Sequence, residues 1–454
     1  MRRALLVAAG YLITATAAGG QAVPKIKFEK YTLPNGLEVI LHEDHSTPIV
    51  SVNTWYKVGS GDEKTGRTGF AHLFEHIMFM GSEHVPTGMF DKELEAAGAD
   101  NNGSTTEDRT NYYENLPSNA LPLALWLDAD RMGFLLPTMD QAKLDLQREV
   151  VKNERRERVD NVPYGRGDEM ILAALYPKGH PYSWSVIGSM VDLGAASLDD
   201  VKSFFRTYYA PNNATLTIAG DFNPAEAKKL VALYFGSIPR GPAMPARPNV
   251  APVVLAKDTF MVLEDRVQLP RAFYDWPTVR IFDRDDAALD VLASVLASGK
   301  NSRLYKRLVF DMQVAQQVFA SQQSSKLAGR FEIDITPKPG QSLAAIDKVV
   351  QEELQKVMTE PISDRELKRV QNSFKASFLN RLSGVLGKSE ILNSYNYMAG
   401  NPDYVQQDAA RYEAVTKADV QRVARQYLGK HKVVLTVVPE GKREMMLTAN
   451  GGAQ

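Results

Sequence analysis

Apolar and polar positions alternate along this chain in blocks short enough to be assigned. Residues 38–43 and 49–58 are rich in β-branched side chains, in runs of strand length, and predict strands. Residues 69–80, 118–133 and 140–159 place apolar side chains at helical spacing. Residues 214–219 predict another strand. The pattern then resumes, with strands expected at 260–264, 317–322 and 331–336 and helices at 346–358 and 364–382. Strands fall in neighbouring pairs and helices in long runs. That predicts an α+β fold with mainly antiparallel sheets packed with helices, not a doubly wound fold.

The pattern also repeats. Ser197-Leu198-Asp199-Asp200-Val201 is followed by Arg206, Tyr208 and Leu216-Thr217. Thr416-Lys417-Ala418-Asp419-Val420 is followed by Arg425, Tyr427 and Leu435-Thr436, every pair offset by 219 positions. Each copy reads as a capped helix start, an amphipathic helix, a short loop and an apolar strand. Two homologous domains from an internal duplication are therefore expected. They would span 24–238 and 254–440, joined by a proline-rich linker at 239–253 and followed by a tail at 441–454. Fixed φ angles and missing donors make Pro239 to Pro252 read as an extended connection.

Composition narrows the chemistry. A formal net charge of −1 over 454 residues argues against a nucleic-acid partner bound through a basic field. The absence of cysteine removes disulfides, thiolate metal sites and cysteine nucleophiles. Any metal must be held by His, Asp or Glu, and there are only seven histidines. At the start, Arg2 and Arg3 precede an uncharged apolar run, Ala4 to Ala18, and small residues follow. This predicts a secretory signal peptide at 1–23. The run of about 15 residues is shorter than the roughly 20 a spanning helix needs, so no stable membrane anchor is expected. The mature protein is expected to be exported, and periplasmic if the source is Gram-negative.

The candidate chemistry lies in His72-Leu73-Phe74-Glu75-His76. On a helix, His72 and His76 face the same way one turn apart, as two imidazoles on one metal require. Glu75 lies close to that face, and Leu73, Phe74 and Ile77 can anchor the helix. A catalytic zinc usually takes three protein ligands and keeps one position open. The helix at 140–159 offers Glu149, Glu154 and Glu157, and spacing alone does not choose among them. His42, His45, His84, His180 and His431 carry no ligand pattern. No phosphate-binding G-x-x-x-x-G-K-[ST] and no G-x-S-x-G is present.

H-x-x-E-H is the inverted zinc-peptidase motif. With Leu33-Pro34-Asn35-Gly36-Leu37, Asn102-Gly103-Ser104-Thr105-Thr106 and Arg148-Glu149-Val150-Val151-Lys152-Asn153-Glu154-Arg155-Arg156, it gives the chain a resemblance to the pitrilysin/insulinase family. The half-length bacterial members are the nearest in form. The resemblance implies a zinc metalloendopeptidase with one Zn²⁺ per chain, held by His72, His76 and Glu154. Glu75 would be the general base that takes a proton from water and delivers it to the leaving amine. It also implies a substrate-binding edge strand at Asn102, Gly103 and Ser104, where a peptide adds as a further strand. By itself, Asn-Gly is a turn signal. Many relatives carry a second glutamate seven residues before the third ligand; here that position is Gln147.

The resemblance bears on partners too. Full-length relatives bring an Arg/Tyr pair from the C-terminal half to the zinc, within a closed chamber of four such domains. The matching positions here are Val309 and Gln316. This implies a homologous subunit that lacks HxxEH but carries the Arg/Tyr pair, a heterodimer in preference to a homodimer. The alternative is a non-catalytic peptide-binding or assembly subunit, or a zinc-holding protein. Non-catalytic relatives usually lose zinc residues, whereas His72, Glu75, His76 and Glu154 are all present here, and zinc storage needs no base such as Glu75.

Overall fold

A computed structural model describes residues 23–449. The expected signal peptide, apart from Val23, lies outside the described residues. Among the described residues no helix is long and apolar enough to cross a membrane.

Two sheets organise the molecule. The first contains β1 (Glu29–Thr32), β2 (Glu38–Glu43), β3 (Ile49–Tyr56), β4 (Asp100–Thr105), β5 (Thr110–Pro117) and β6 (Ala214–Gly220), in the order β1-β2-β6-β3-β5-β4. The second contains β7 (Thr259–Asp265), β8 (Arg271–Thr278), β9 (Ala315–Ser324), β10 (Gly329–Pro337) and β11 (Val433–Pro439), in the order β7-β11-β8-β10-β9. Only β2–β6 and β7–β11 are parallel; all other neighbours are antiparallel. With β1 set aside, the two orders match strand for strand. The repeated sequence signature falls at equivalent places. Ser197 and Asp200 form one capping box, Thr416 and Asp419 the other, and each helix leads to the parallel-paired strand β6 or β11. The fold is thus α+β and duplicated, as the residue pattern predicts.

Each half has its own core. In the first, Val50, Val52 and Tyr56 of β3 pack with Leu73, Phe74 and Ile77 and with Leu216 and Ile218 of β6. The opposite face of β3 is polar yet also buried, because the helix Val385–Ser394 from the second half lies across β3 and β6. Its contact is hydrogen-bonded: Thr217 Oγ1 donates to Asn393 Oδ1 at 2.7 Å, and Asn53 Nδ2 to Glu390 Oε1 at 2.8 Å. Buried polar groups need such partners. The exchange is mutual. The helix Gly167–Leu175 of the first half packs Ile171 against Leu435 and Val437 of β11. The halves are therefore covered by one another, and residues 240–255 between them contain no helix or strand.

Candidate metal centre

The helix Phe70–Ile77 is held at its start by a carboxylate. Glu63 Oε2 accepts from Gly69 N at 3.0 Å and Glu63 Oε1 from Ala71 N at 2.8 Å, satisfying N–H groups that no helical carbonyl reaches. Gly69 is in the left-handed region, with φ +87°, and a Cβ there would meet the Ile187 carbonyl at 2.6 Å. The apolar stripe Phe70, Leu73, Phe74 and Ile77 enters the core, with Phe74 stacked on Phe204. The other face turns His72 and His76 together, ring centroids 4.8 Å apart and nearly perpendicular.

The third group comes from the end of the helix Gln141–Arg155, capped by Asp140. Leu144 and Val151 pin it to the core, which places Glu154 opposite the histidines. Glu154 Oε2 lies 3.1 Å from His76 Nε2 and 3.6 Å from His72 Nε2. Arg158 holds the other oxygen at 2.8 Å. Arg155 anchors this end of the helix through Glu169 and, at 2.8 Å, the Gly188 carbonyl. Of the other glutamates offered by spacing, Glu149 is exposed and pairs with Lys152 at 3.0 Å. Glu157 lies in the π-helical turn Arg156–Asp160, outside the cluster.

One ligand atom from each of His72, His76 and Glu154 lies within 4.8 Å of the others, and they form the only such group among the described residues. Zinc takes nitrogen and oxygen ligands at about 2.0–2.2 Å, so tetrahedral ligands sit roughly 3.3–3.6 Å apart. The 3.1 and 3.6 Å separations bracket that spacing. Electrostatics agree with this donor set. Burial, and then the neighbouring His76, hold the His72 pKa down to about 4, so its imidazole is neutral near pH 7. A hydrogen bond from His76 lowers the Glu154 pKa and keeps it a carboxylate.

Glu75 points to the edge strand. Its pKa is raised by burial, against a hydrogen bond from Thr105 Oγ1 to Glu75 Oε2 at 2.6 Å. Asn102, Gly103 and Ser104 all lie in β4, at the sheet edge, and not in a turn. Pairing with β5 along the whole of β4 overrides the Asn-Gly signal, and the chain reverses instead at 106–109. A Cβ on Gly103 would meet Glu75 Cγ at 2.9 Å, so the backbone of β4 passes directly over the carboxylate. Arg109 Nη1 donates to the Ser104 carbonyl at 2.7 Å. Gln147 is buried, with Nε2 on Met80 Sδ at 2.7 Å. Thr105 and Arg158 were not expected from the motif. Their signals are local: alternation along β4 and the i, i+4 spacing to Glu154.

The family description "Insulinase (Peptidase family M16)" matches residues 38–183, and "Peptidase M16 inactive domain" matches 195–374. A relative from Helicobacter pylori, named zinc protease PqqE, is 30% identical over 407 residues, covering 88% of this chain and 90% of that one. The chain belongs to the insulinase family. The crystal structure of a protease from Helicobacter pylori shares this insulinase-family fold with a TM-score of 0.85 at 28% identity, covering 92% of this chain and 100% of that chain. The periplasmic protease PqqL from Escherichia coli shares it with a TM-score of 0.77 at 19% identity, covering 95% of this chain and 50% of that chain. The metal-type group lies wholly within the segment matching the first description. Residues 195–374, which match the inactive-domain description, contribute nothing to such a group among the described residues.

Proposed function

We propose that this insulinase-family chain is a zinc-dependent endopeptidase acting on peptides or unfolded segments. The observation that carries the reading is the convergence of two imidazole nitrogens on one carboxylate oxygen, 3.1 and 3.6 Å away, with a second, half-buried carboxylate one residue from His76. His72, His76 and Glu154 would hold one zinc ion per chain. When bound, zinc supplies Lewis acidity, polarising the scissile carbonyl and acidifying a water. Glu75 would accept a water proton at Oε1, the oxygen not bound by Thr105, and deliver it to the leaving amine. Burial holds its carboxyl above the ordinary carboxylate range, which favours uptake of a proton. The edge of β4 at Asn102–Ser104 takes the peptide by main-chain pairing, which tolerates many side chains.

Two features support a partner subunit. Val309 and Gln316 stand where the family resemblance expects arginine and tyrosine, and the nearby arginines are engaged: Arg303 with Glu366 at 2.7 Å, Arg307 with Glu353 at 2.7 Å. The chain also fills only half of PqqL. We read it as one half of a chamber of paired duplicated domains (24–238 and 254–440), completed by a homologous subunit that carries the Arg/Tyr pair. Export, to the periplasm if the source is Gram-negative, fits the Arg2–Ala18 segment. The test of the ligand set is metal analysis: wild type should bind about one zinc per chain, and Glu154→Ala should lose it while keeping its circular dichroism. Unchanged metal content in Glu154→Ala would remove Glu154 from the site.

A further inference from the structure

The turn that ends β4 is tied to three distant segments through one buried carboxylate. Asp108, 2% exposed, accepts from Tyr182 OH at 2.8 Å and Arg247 Nη1 at 2.7 Å on Oδ1, and from the Lys326 amide at 2.8 Å on Oδ2. Arg247 Nη2 also donates to the Asp108 carbonyl at 2.9 Å and to Asp62 Oδ2 at 2.5 Å. Asp62 in turn accepts from Gly59 N at 3.0 Å, and Ser60 and Gly61 donate to the carbonyls of Thr106 and Glu107 at 3.1 and 2.8 Å. From the second half, Leu327 N donates to Tyr182 OH at 3.0 Å, and Lys326 Nζ lies over the Tyr397 ring at 4.0 Å. Arg247 belongs to the proline-rich stretch between the halves. Its flanking prolines limit the backbone freedom that would otherwise be lost in fixing the guanidinium.

We propose that Arg247 is a positioning residue for substrate: through Asp108 it fixes the 106–109 turn, and so orders the edge strand β4 for a peptide to add to it. The mechanical link is short. Thr105, which donates to Glu75, precedes the turn directly, and the Thr106 amide closes the turn on the Arg109 carbonyl at 2.8 Å. The planar guanidinium holds three acceptors on two segments with a fixed fork of donors, a geometry that a freely rotating ammonium does not pre-organise. A peptide that adds to β4 by main-chain bonds gains affinity when that strand is ordered before binding. This inference rests on the peptidase reading for its substrate, but not for its structural content.

The test is Arg247→Ala in the full chain, with Arg247→Lys beside it, by hydrogen exchange, zinc content and peptide kinetics. Arg247→Ala should keep its zinc and should exchange the amides bonded between β4 and β5 about tenfold faster, with protection in β7–β11 unchanged. Its KM for a peptide should rise about tenfold with kcat within about twofold, the signature of lost binding that does not change on reaching the transition state. Arg247→Lys should fall between. Unchanged exchange across β4 and β5 in Arg247→Ala would overturn the proposal, as would an equal rise in exchange through both sheets. If wild type itself cleaves no peptide, the peptidase reading fails while the exchange result still judges the role of Arg247.

Discussion

Gly103→Ala puts a single methyl group where β4 crosses Glu75. Gly103 has ordinary extended geometry, so the added Cβ acts by contact and not by backbone strain. It would lie 2.9 Å from Glu75 Cγ and 3.3 Å from both Glu75 Oε1 and the Asn111 carbonyl. Carbon atoms in contact prefer about 3.5–4.0 Å, so the Glu75 side chain must retreat by roughly 0.6–1 Å. Strand pairing with Tyr112 holds β4 in place, and Phe74 and Leu73 hold the helix, so the carboxylate moves first. Its 2.6 Å bond from Thr105 is then lost or stretched. Misplacing a reacting group by about 1 Å can cost on the order of 100-fold in rate. The expected fall in kcat is about 10- to 100-fold, or about 1.4–2.7 kcal/mol on the barrier. His72, His76 and Glu154 are not among the atoms the new methyl would meet, so zinc content should not change. A quenched-fluorescence peptide assay with metal analysis on the same preparation reads both quantities. Full kcat with full zinc in Gly103→Ala would show that Glu75 does not act from the position it occupies in this structure.

Zinc should raise the thermal midpoint of wild type by mass action, about 2.7 kcal/mol of stabilisation at a hundredfold excess over Kd, and should leave Glu154→Ala unmoved in calorimetry. Arg131 pairs with Glu114 and Asp128, all three buried, under the rings of Phe90 and Tyr112. Arg131→Leu leaves two buried carboxylates without a counter-charge and should cost about 3–5 kcal/mol in urea unfolding. Glu38 is partly desolvated, but Lys30 and Lys57 outweigh that and hold its pKa down to about 2 from 4.5. A depressed carboxyl contributes stability above its unfolded pKa and loses it as pH falls through the folded value. Wild type should therefore exceed Glu38→Gln by about 1–2 kcal/mol above pH 4.5, allowing for solvent screening, with the gap closing towards pH 2. A gap independent of pH would mean that Glu38 contributes by packing alone.

Much of the fold was legible because local signals agreed with the tertiary ones. The capping boxes at Ser197 and Thr416 formed as their side chains predict. The strand at Glu38–Glu43 formed with the same bounds as its apolar run. Elements that escaped the pattern have tertiary causes. The helix Asp286–Ala297 is buried nearly all round, so it carries no amphipathic stripe to read. The helix Val385–Ser394 has a polar contact face because it lies on the polar side of β3, a pairing that no local period announces. At the site, His72, Glu75 and His76 were readable as a motif because helical spacing brings them together. The choice of Glu154 over Glu149 needed either family context or the geometry, since the two differ only in which side of one helix faces the histidines. Thr105 and Arg247 act through contacts made far along the chain, from an edge strand and from a segment without secondary structure.

The most direct measurement on the central claim is Glu75→Gln, assayed for zinc and for peptide cleavage with any partner subunit present. Glutamine keeps the size and the hydrogen bond from Thr105 but cannot take up a proton at neutral pH. The account predicts about one zinc per chain and no detectable cleavage. Cleavage at the wild-type rate by the zinc-loaded variant would contradict it.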